Sequence, residues 1–348
     1  MSSATAPTGR RLRRADCTGP GLRRRRHGRG FRYLDEDGEA IADREVLERI
    51  HELVIPPAWQ DVWICPYPAG HIQATGIDAA GRKQYLYHPG WRVRRDQQKF
   101  DDMVAFARGL PPLRKRIDAE LAAPEQELSR DHVCACAVCL LDRGFFRVGG
   151  EDYAVQNETY GLATMRKRHV RLRDEVLLFD YPSKQGKRRV QAVVDPAVAS
   201  VVARLKRRRG GGDELLAFKE GRRWRDLRSE DINEWLKDAT GRDVSAKDFR
   251  TWGATVLAAV ALAVSERAPS SPTARKRAIN RAIKEVARYL GNTPAVARAS
   301  YIDPRVFDRF RDGETIDEAL VAAAGRRNGD ATAIQGPVED AVLELLEG

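Results

Sequence analysis

Residues 245–264 read SAKDFRTWGATVLAAVALAV, a segment in which a polar start leads into a long apolar stretch. The apolar residues follow helical spacing, so the segment predicts a helix over about 246–265 that must be buried. A buried helix needs partners, and the same spacing recurs over 97–108, 112–122, 129–142, 195–208, 229–239, 273–289 and 315–324. We therefore expect a larger, mainly helical domain over residues 96–325.

A strand-like pattern interrupts the helical pattern once, and another strand-like pattern precedes it. Residues 168–194 alternate over short runs around a polar turn at Pro182 to Gly186, which predicts a small sheet with hairpins. Toward the N-terminus, strand-like runs such as VWICP, HIQATG and RKQYLYH surround one predicted helix at 44–53. The fold class is thus α+β: a small β-rich N-terminal domain over 30–95, then the helical domain with its small sheet.

The net charge of +11 is concentrated near the N-terminus. Residues 10–29 hold nine arginines and a single acid, Asp16, so they carry +8 of it. Arginine runs with Gly and Pro and no apolar periodicity predict a disordered basic arm over 1–29. A polar tail is expected over 326–348. Because one arm accounts for most of the charge, the total indicates a polyanionic partner only weakly.

Several classes of protein are excluded. No run approaches the ~20 apolar residues of a membrane span, and the first residues lack the apolar stretch of a secretory signal. Cys134, Cys136 and Cys139 lie in an apolar segment without a convincing fourth zinc ligand, so they are expected in the core of a reduced, intracellular protein. No phosphate-binding loop, nucleophile elbow, HExxH or dinucleotide fingerprint is present.

Polar residues in segments that otherwise look like core are the remaining candidates, and each has a purely structural alternative. Arg147 could be a surface arginine near a helix end, and Lys184 a solvated turn residue. Arg250 could pair with Asp248 or another acid at the surface. The last two candidates are Asn292, which could be only a helix N-cap, and Tyr301, which could be an aromatic at the rim.

Taken together and in this order, these segments resemble the type IB DNA topoisomerases of the poxvirus-type, bacterial branch. The resemblance covers about residues 28–325. It rests on GFRYLDEDGEAIADREVLERIHELVIPPAWQDVWICP and GHIQATGIDAAGRKQYLYHPGWR in the N-terminal part. In the C-terminal part it rests on RVGGEDY, YGLATMRKRHV, KDFRTWGAT and LGNTPAVARASYIDP. It implies a catalytic helical domain related to tyrosine recombinases.

The resemblance implies a role for each of the five candidates. Tyr301 is the nucleophile that forms a 3′-phosphotyrosine, Arg147 and Arg250 hold the non-bridging phosphate oxygens, and Lys184 is the general acid. Asn292 stands where many relatives have His, so it donates a hydrogen bond rather than a proton. The residue types also suit the chemistry by themselves, because three cations can stabilise the charge on the non-bridging phosphate oxygens and on the leaving oxygen. No metal and no cofactor is then required, and ATP is not needed for resealing.

The implied partner is double-stranded DNA, held by a monomer that closes around it as a clamp. Alternation puts Tyr85 and Tyr87 on one face of a strand, where they either pack in a core or contact DNA. Further DNA-contact candidates are Arg82, Gln84, Arg92 and Lys167, together with Lys247, which shares a helical side with Arg250. The expected location is the bacterial cytoplasm, associated with the nucleoid and not with a membrane.

Two alternatives stay open from the sequence. A site-specific tyrosine recombinase shares this catalytic chemistry, although the β-rich N-terminal domain and Lys247 argue against it. A non-catalytic basic DNA-binding protein would account for the charge, but not for the ordered set of Arg, Lys, Arg, Asn and Tyr.

Overall fold

The computed structural model describes residues 11–123, 128–151, 154, 158–265, 271–317 and 335–348. The chain divides into two compact units, Met1–Asp101 and Asp102–Gly348. Each unit combines helices with small antiparallel sheets, which confirms the α+β class.

In the first unit, five strands form one antiparallel sheet. They are β1 (Leu22–His27), β2 (Gly30–Leu34), β3 (Gln60–Ile64), β4 (Ile72–Ile77) and β5 (Lys83–Tyr87), in the spatial order β2-β1-β3-β4-β5. Helix α1 (Arg44–Glu52) begins at Asp43, whose carboxylate accepts from the first backbone N–H groups of the helix. It buries Ile50 against Leu22, Ile64 and Ala74 of the sheet.

The prediction of a disordered basic arm over 1–29 is wrong for residues 22–27, which form β1 between β2 and β3. Leu22 is buried, and the Arg24 guanidinium donates to the carbonyls of Ile55, Pro56 and Trp59 at 3.2, 3.1 and 2.7 Å. An arginine can occupy an inward strand position when its stem packs and its fork is fully bonded. The run of arginines therefore led to a prediction of disorder where the chain forms a strand. Residues 1–10 lie outside the described part of the chain.

Helices dominate the second unit. Helix α2 (Pro89–Arg108) crosses from the first unit, and the helices that follow are α3 (Leu110–Ala122), α4 (Arg130–Gly144), α5 (Pro196–Arg207), α6 (Ser229–Thr240), α7 (Ala246–Val264), α8 (Pro272–Leu290), α9 (Pro294–Ser300), α10 (Pro304–Asp312) and α11 (Pro337–Glu347). The helix predicted over 315–324 lies mostly outside the described residues. Among those described, no helix is both long and apolar enough to cross a membrane.

Two helices form the centre of this unit. Helix α4 is buried almost along its length, and Cys134, Cys136 and Cys139 are free thiols in that core, as predicted. Burial raises the pKa of the Cys134 thiol to about 12. Helix α7 is the 245–264 segment, and it begins with a capping box in which the Asp248 carboxylate accepts from the Ser245 N–H at 2.7 Å.

The predicted small sheet consists of β6 (Val170–Arg173), β7 (Val176–Pro182) and β8 (Arg188–Val194), in that order and antiparallel. A short 3₁₀ turn, Lys184–Gly186, joins β7 to β8. A second hairpin, β9 (Ala217–Glu220) and β10 (Arg223–Asp226), was not predicted.

The prediction of a polar tail over 326–348 is wrong for its last part, because α11 buries Val338, Val342 and Leu346 in the main core. Its Glu339 accepts from Arg114 and from the Trp252 indole N–H at 2.8 Å, while Arg114 also pairs with Asp142. A helix that repeats apolar residues every four positions is amphipathic even when its composition is acidic. The short apolar run VEDAVLELLE is visible in the sequence, but its packing against the main core is not.

Candidate active site

The site is organised around the C-terminal end of α8, where the last carbonyls of a helix have no intrahelical partner. Gly291 adopts the left-handed conformation (φ 62°) that ends the helix. Three arginines, one from each of three other segments, bond successive carbonyls there: Arg189 Nη2 to Tyr289 O at 2.7 Å, Arg250 Nη2 to Leu290 O at 3.0 Å and Arg147 Nη2 to Gly291 O at 3.2 Å. The negative end of the helix dipole favours these cations.

Arg250 is buried (3% exposed) in the first turns of α7, so it is not a surface arginine. Its guanidinium also donates to the carbonyl of Phe145, the left-handed residue that ends α4. Its Nε has no partner. Burial lowers the pKa of Arg250 to about 10, with Arg147 and Arg189 adding to the effect and Tyr301 opposing it. An incompletely bonded, desolvated cation is suited to bind an anion.

Tyr301 follows α9 and is half-buried beside Arg250, whose guanidinium carbon lies 5.4 Å from the centre of the tyrosine ring. The backbone after Tyr301 is held by Thr255 of α7, whose hydroxyl accepts the Asp303 N–H at 3.1 Å and donates to Thr251 O at 3.0 Å. Burial alone would raise the pKa of Tyr301. The Arg250 charge and hydrogen bond, with smaller contributions from Arg147 and Asn292, outweigh burial and lower it. The phenolate is therefore favoured.

Arg147 and Asn292 contact each other directly. Arg147 donates to the Asn292 side-chain oxygen and, through Nη1, to the Ser183 hydroxyl at 3.3 Å. The buried Asn292 Nδ2 makes no hydrogen bond of good geometry, although the amide lies near enough to the Tyr301 hydroxyl to help lower the pKa of Tyr301. Asn292 is not the N-cap of α9, since that role belongs to Thr293, whose hydroxyl accepts the Val296 N–H at 3.3 Å. The explanation of Asn292 as an N-cap is thus wrong.

Two lysines border this cluster without bonding to it. Lys184 is exposed at the tip of the β7–β8 hairpin, next to the Ser183 that Arg147 contacts. Lys247 is exposed in the first turn of α7. The structure therefore brings together Arg147, Arg250, Asn292 and Tyr301, and leaves both ammonium groups at the rim.

Arg189 and Tyr181 belong to the cluster but were missed in the sequence. They are directly opposite each other in the pairing of β7 with β8. Burial raises the pKa of Tyr181, against the opposing charges of Arg189, Arg250 and Arg147. A signal was available: in β8 the inward positions are Arg189 and Gln191, whereas Val190 and Val194 point outward. Such inverted alternation is typical of a strand that faces a polar site.

The DNA-contact candidates of the first unit lie on or beside the edge strand β5. Tyr85 and Tyr87 are 39% and 37% exposed with ring centroids 6.0 Å apart, so neither is a core aromatic. Asp78 orders this edge, since it pairs with Arg82 at 2.9 Å and accepts from Gln84 Nε2 at 2.9 Å. These bonds, led by the Arg82 backbone N–H, lower the pKa of Asp78 to about 2. The remaining two candidates are Arg92, exposed on α2, and Lys167, partly exposed in the second unit.

No three histidine, cysteine, aspartate or glutamate side chains within the described ranges are grouped so that they could hold a metal ion.

Comparison with known families identifies the family to which this chain belongs. A model of the catalytic core of eukaryotic DNA topoisomerase I matches residues 88–317. The chain belongs to the DNA topoisomerase I family. A model of the N-terminal domain of bacterial DNA topoisomerase IB matches residues 30–78.

Curated relatives of this topoisomerase carry the same designation. The DNA topoisomerase 1B of Acanthamoeba polyphaga mimivirus is 29% identical over 317 residues, which are 86% of this chain and 93% of that protein. The DNA topoisomerase 1B of vaccinia virus (strain Copenhagen) is 24% identical over 245 residues, 70% of this chain and 74% of the relative. The chain is thus a type IB topoisomerase, an isomerase that acts on DNA. This outcome selects the predicted activity over the recombinase and the non-catalytic DNA-binding protein.

Proposed function

We propose that this topoisomerase relaxes positive and negative supercoils by transient single-strand cleavage through a 3′-phosphotyrosine intermediate, without ATP or a metal ion. The observation that carries the proposal is the gathering of Arg147, Arg250, Asn292 and Tyr301 at the end of α8. One nucleophile lies there among donors that suit a phosphate.

Cleavage would begin with Tyr301, whose ordinary pKa is near 10. Its lowered pKa raises the fraction of phenolate at neutral pH. The Oη–P bond forms as the P–O5′ bond breaks, and the phenol proton is released to solvent. Religation is the reverse attack by the 5′-hydroxyl, so the number of phosphoester bonds is conserved and no ATP is consumed.

The non-bridging oxygens gain charge in this displacement. We propose that Arg147 and Arg250 stabilise that charge, and that the unpaired Asn292 Nδ2 donates a further hydrogen bond. The guanidinium groups bond backbone carbonyls here, and phosphate oxygens are stronger acceptors for the same forks. Loss of one such donor costs ~10²–10³ in rate in comparable sites.

We assign Lys184 as the general acid that protonates the leaving 5′-oxygen, after which the neutral amine recovers a proton from solvent. Its support is its place beside Ser183 on a hairpin that contacts Arg147. Lys247, one turn from Arg250 on α7, is assigned a contact to a neighbouring phosphate.

We propose that double-stranded DNA binds both units of a monomer, which would act as a clamp in which the cut strand swivels. In the first unit, the exposed tyrosines of β5 with Arg82 and Gln84 would face the duplex, and Arg92 would contact phosphates. In the second unit, Lys167 would do so. Each surface is exposed and carries cations or stacked aromatic rings, which are groups that bind phosphates and bases.

The test is covalent trapping. Wild-type protein mixed with plasmid and denatured quickly should yield a protein–DNA adduct in EDTA, whereas Tyr301→Phe should yield none and should relax nothing. DNA affinity should stay nearly unchanged, because only one hydroxyl is lost. Tyr289→Phe is the matched control, since Tyr289 is exposed on α8 and contributes only its carbonyl to the site. Relaxation by Tyr301→Phe protein would refute the proposal.

A further inference from the structure

The position of Lys184 depends on the hairpin that carries it. Within the part of the chain that the structure describes, its ammonium group makes no hydrogen bond or ion pair, and its side chain is exposed. Its backbone belongs to a three-residue 3₁₀ turn closed by the Ser183 N–H, which donates to Lys187 O at 2.8 Å. The position of an unbonded side chain on a short turn is determined only by the two strands that the turn joins.

Arg189 connects those strands to the catalytic helix. It faces Tyr181 across the hairpin, and its Nε donates to Gln191 Oε1 at 2.9 Å. Its Nη2 donates to Tyr289 O at 2.7 Å. The guanidinium thus joins β8, at the position paired with Tyr181 of β7, to the end of α8, two residues before Gly291.

This placement carries an energetic cost. The Arg189 side chain is largely removed from water and lies near Arg147, and both effects lower the pKa of Arg189. A surface arginine on the other face of β8 would be neither removed from water nor close to Arg147. Such a cost persists where a defined geometry is needed, and the planar fork of Arg189 holds an acceptor in β8 and one in α8 at once.

We propose that Arg189 is a positioning residue, which holds the β7–β8 hairpin against the end of α8 so that Lys184 reaches the leaving 5′-oxygen. This inference rests on the proposed role of Lys184. Arg189 touches no reacting atom, and it acts through the lysine.

The test uses two DNA substrates that differ in the leaving group. In one, the bridging 5′-oxygen at the cleavage site is replaced by sulfur, and a thiol with a pKa of ~8.5 leaves without a proton donor. Arg189→Ala should slow single-turnover cleavage of the oxygen substrate by ~10²-fold, a common penalty for misplacement by about 1 Å. It should cleave the sulfur substrate at nearly the wild-type rate. An equal loss on both substrates would overturn the inference.

Lys184→Ala distinguishes a failure of the proposed role of Lys184 from a failure of the proposed role of Arg189. If this variant is not rescued by the sulfur leaving group, the proposed role of Lys184 fails. If it is rescued while Arg189→Ala is not, only the inference fails. In the Lys184→Ala background, Arg189→Ala should cost little more on the oxygen substrate, because both changes remove one function. Additive losses would contradict coupling through the lysine.

Controls address charge and folding. Arg188→Ala removes an arginine from the next position of β8, where the side chain is exposed and paired with Asp180, so cleavage at saturating DNA should be unchanged. Arg189→Lys keeps the charge, but a point-like ammonium cannot reproduce the planar fork that bonds Gln191 and Tyr289 together. It should therefore show the same substrate dependence in weaker form, which keeps the inference testable if Arg189→Ala unfolds.

Discussion

At the scale of single residues, the proposed chemistry depends on how charge is distributed between Tyr301 and the arginines around it. The tyrosine hydroxyl is half-buried, which by itself opposes ionisation. Arg250, as the nearest cation, and Arg147, as a second one, more than compensate. A group whose pKa is lowered in the folded protein is ionised over a wider range as pH rises.

A titration of Tyr301 tests this balance. In the DNA-free protein its phenol should ionise below pH 10, and Arg147→Gln should move the midpoint upward because one stabilising cation is lost. The measurement is an ultraviolet difference titration against Tyr301→Phe protein treated identically. Arg242→Gln removes an exposed arginine outside the site and should leave the midpoint in place. A midpoint at or above 10 in the wild type would contradict the proposed activation.

Four of the residues that meet at this site were singled out by the resemblance to type IB topoisomerases, because each of them alone also has a purely structural explanation. Arg189 was missed because the alternation in RRVQAVV separates Arg189 and Gln191 from Val190 without showing which of the two faces points inward. That choice follows from strand register, which pairs position 189 with Tyr181. The role of Asn292 was equally ambiguous, because the cap position moves by one residue to Thr293.

At the scale of elements, the end of α8 holds the site together through one glycine. Gly291 turns the chain so that three carbonyls face three guanidinium groups. A Cβ at this position would lie 3.1 Å from Arg189 Nη1 and 3.9 Å from Arg147 Nη1. The left-handed backbone and the close approach both require glycine here.

Gly291→Ala should therefore have two effects. The left-handed backbone should cost ~1–2 kcal/mol of unfolding free energy, and displacement of Arg189 should slow single-turnover cleavage on saturating DNA. Gly241→Ala is the matched control, because it also ends a helix with φ near 63° but has open space around a Cβ. Denaturant unfolding should show similar losses for both variants. Equal cleavage rates in the two would show that the close approach at Gly291 has no catalytic consequence.

Sequence patterns identified most of the helices because apolar residues recur every three or four positions. They missed β1 because its composition is charged and few apolar residues bury it. The short apolar run of α11 was visible, but it was assigned to a polar tail and the residues that bury it were not identified. For β1 these are Leu22 and the stem of Arg24, and for α11 they are Val338, Val342 and Leu346. Composition alone therefore indicated disorder or a polar tail where tertiary contacts order the chain.

At the scale of the whole molecule, the net charge of +11 needs a different interpretation once β1 is recognised. The arginines of β1 are distributed over two faces of a folded sheet. The register places Arg23 opposite Trp63, Trp63 opposite Thr75, and Thr75 opposite Tyr85. Residues directly opposite each other in antiparallel strands share a face, so Arg23 and Tyr85 lie on the same side of the sheet. Arg24 lies on the other side, where its fork is bonded to carbonyls.

This division predicts which arginines of the strand contribute to DNA affinity. If the face of Tyr85 binds the duplex, Arg23→Gln should reduce the slope of log K against log salt by ~0.9, the value for one phosphate contact. Arg26→Gln removes the same charge from an exposed position on the opposite face and should leave the slope unchanged. Binding is measured by fluorescence anisotropy on a short duplex at several salt concentrations, with Tyr301→Phe protein so that no cleavage intervenes. If both substitutions lower the slope equally, β1 acts through its total charge alone and the face of Tyr85 is not the DNA surface.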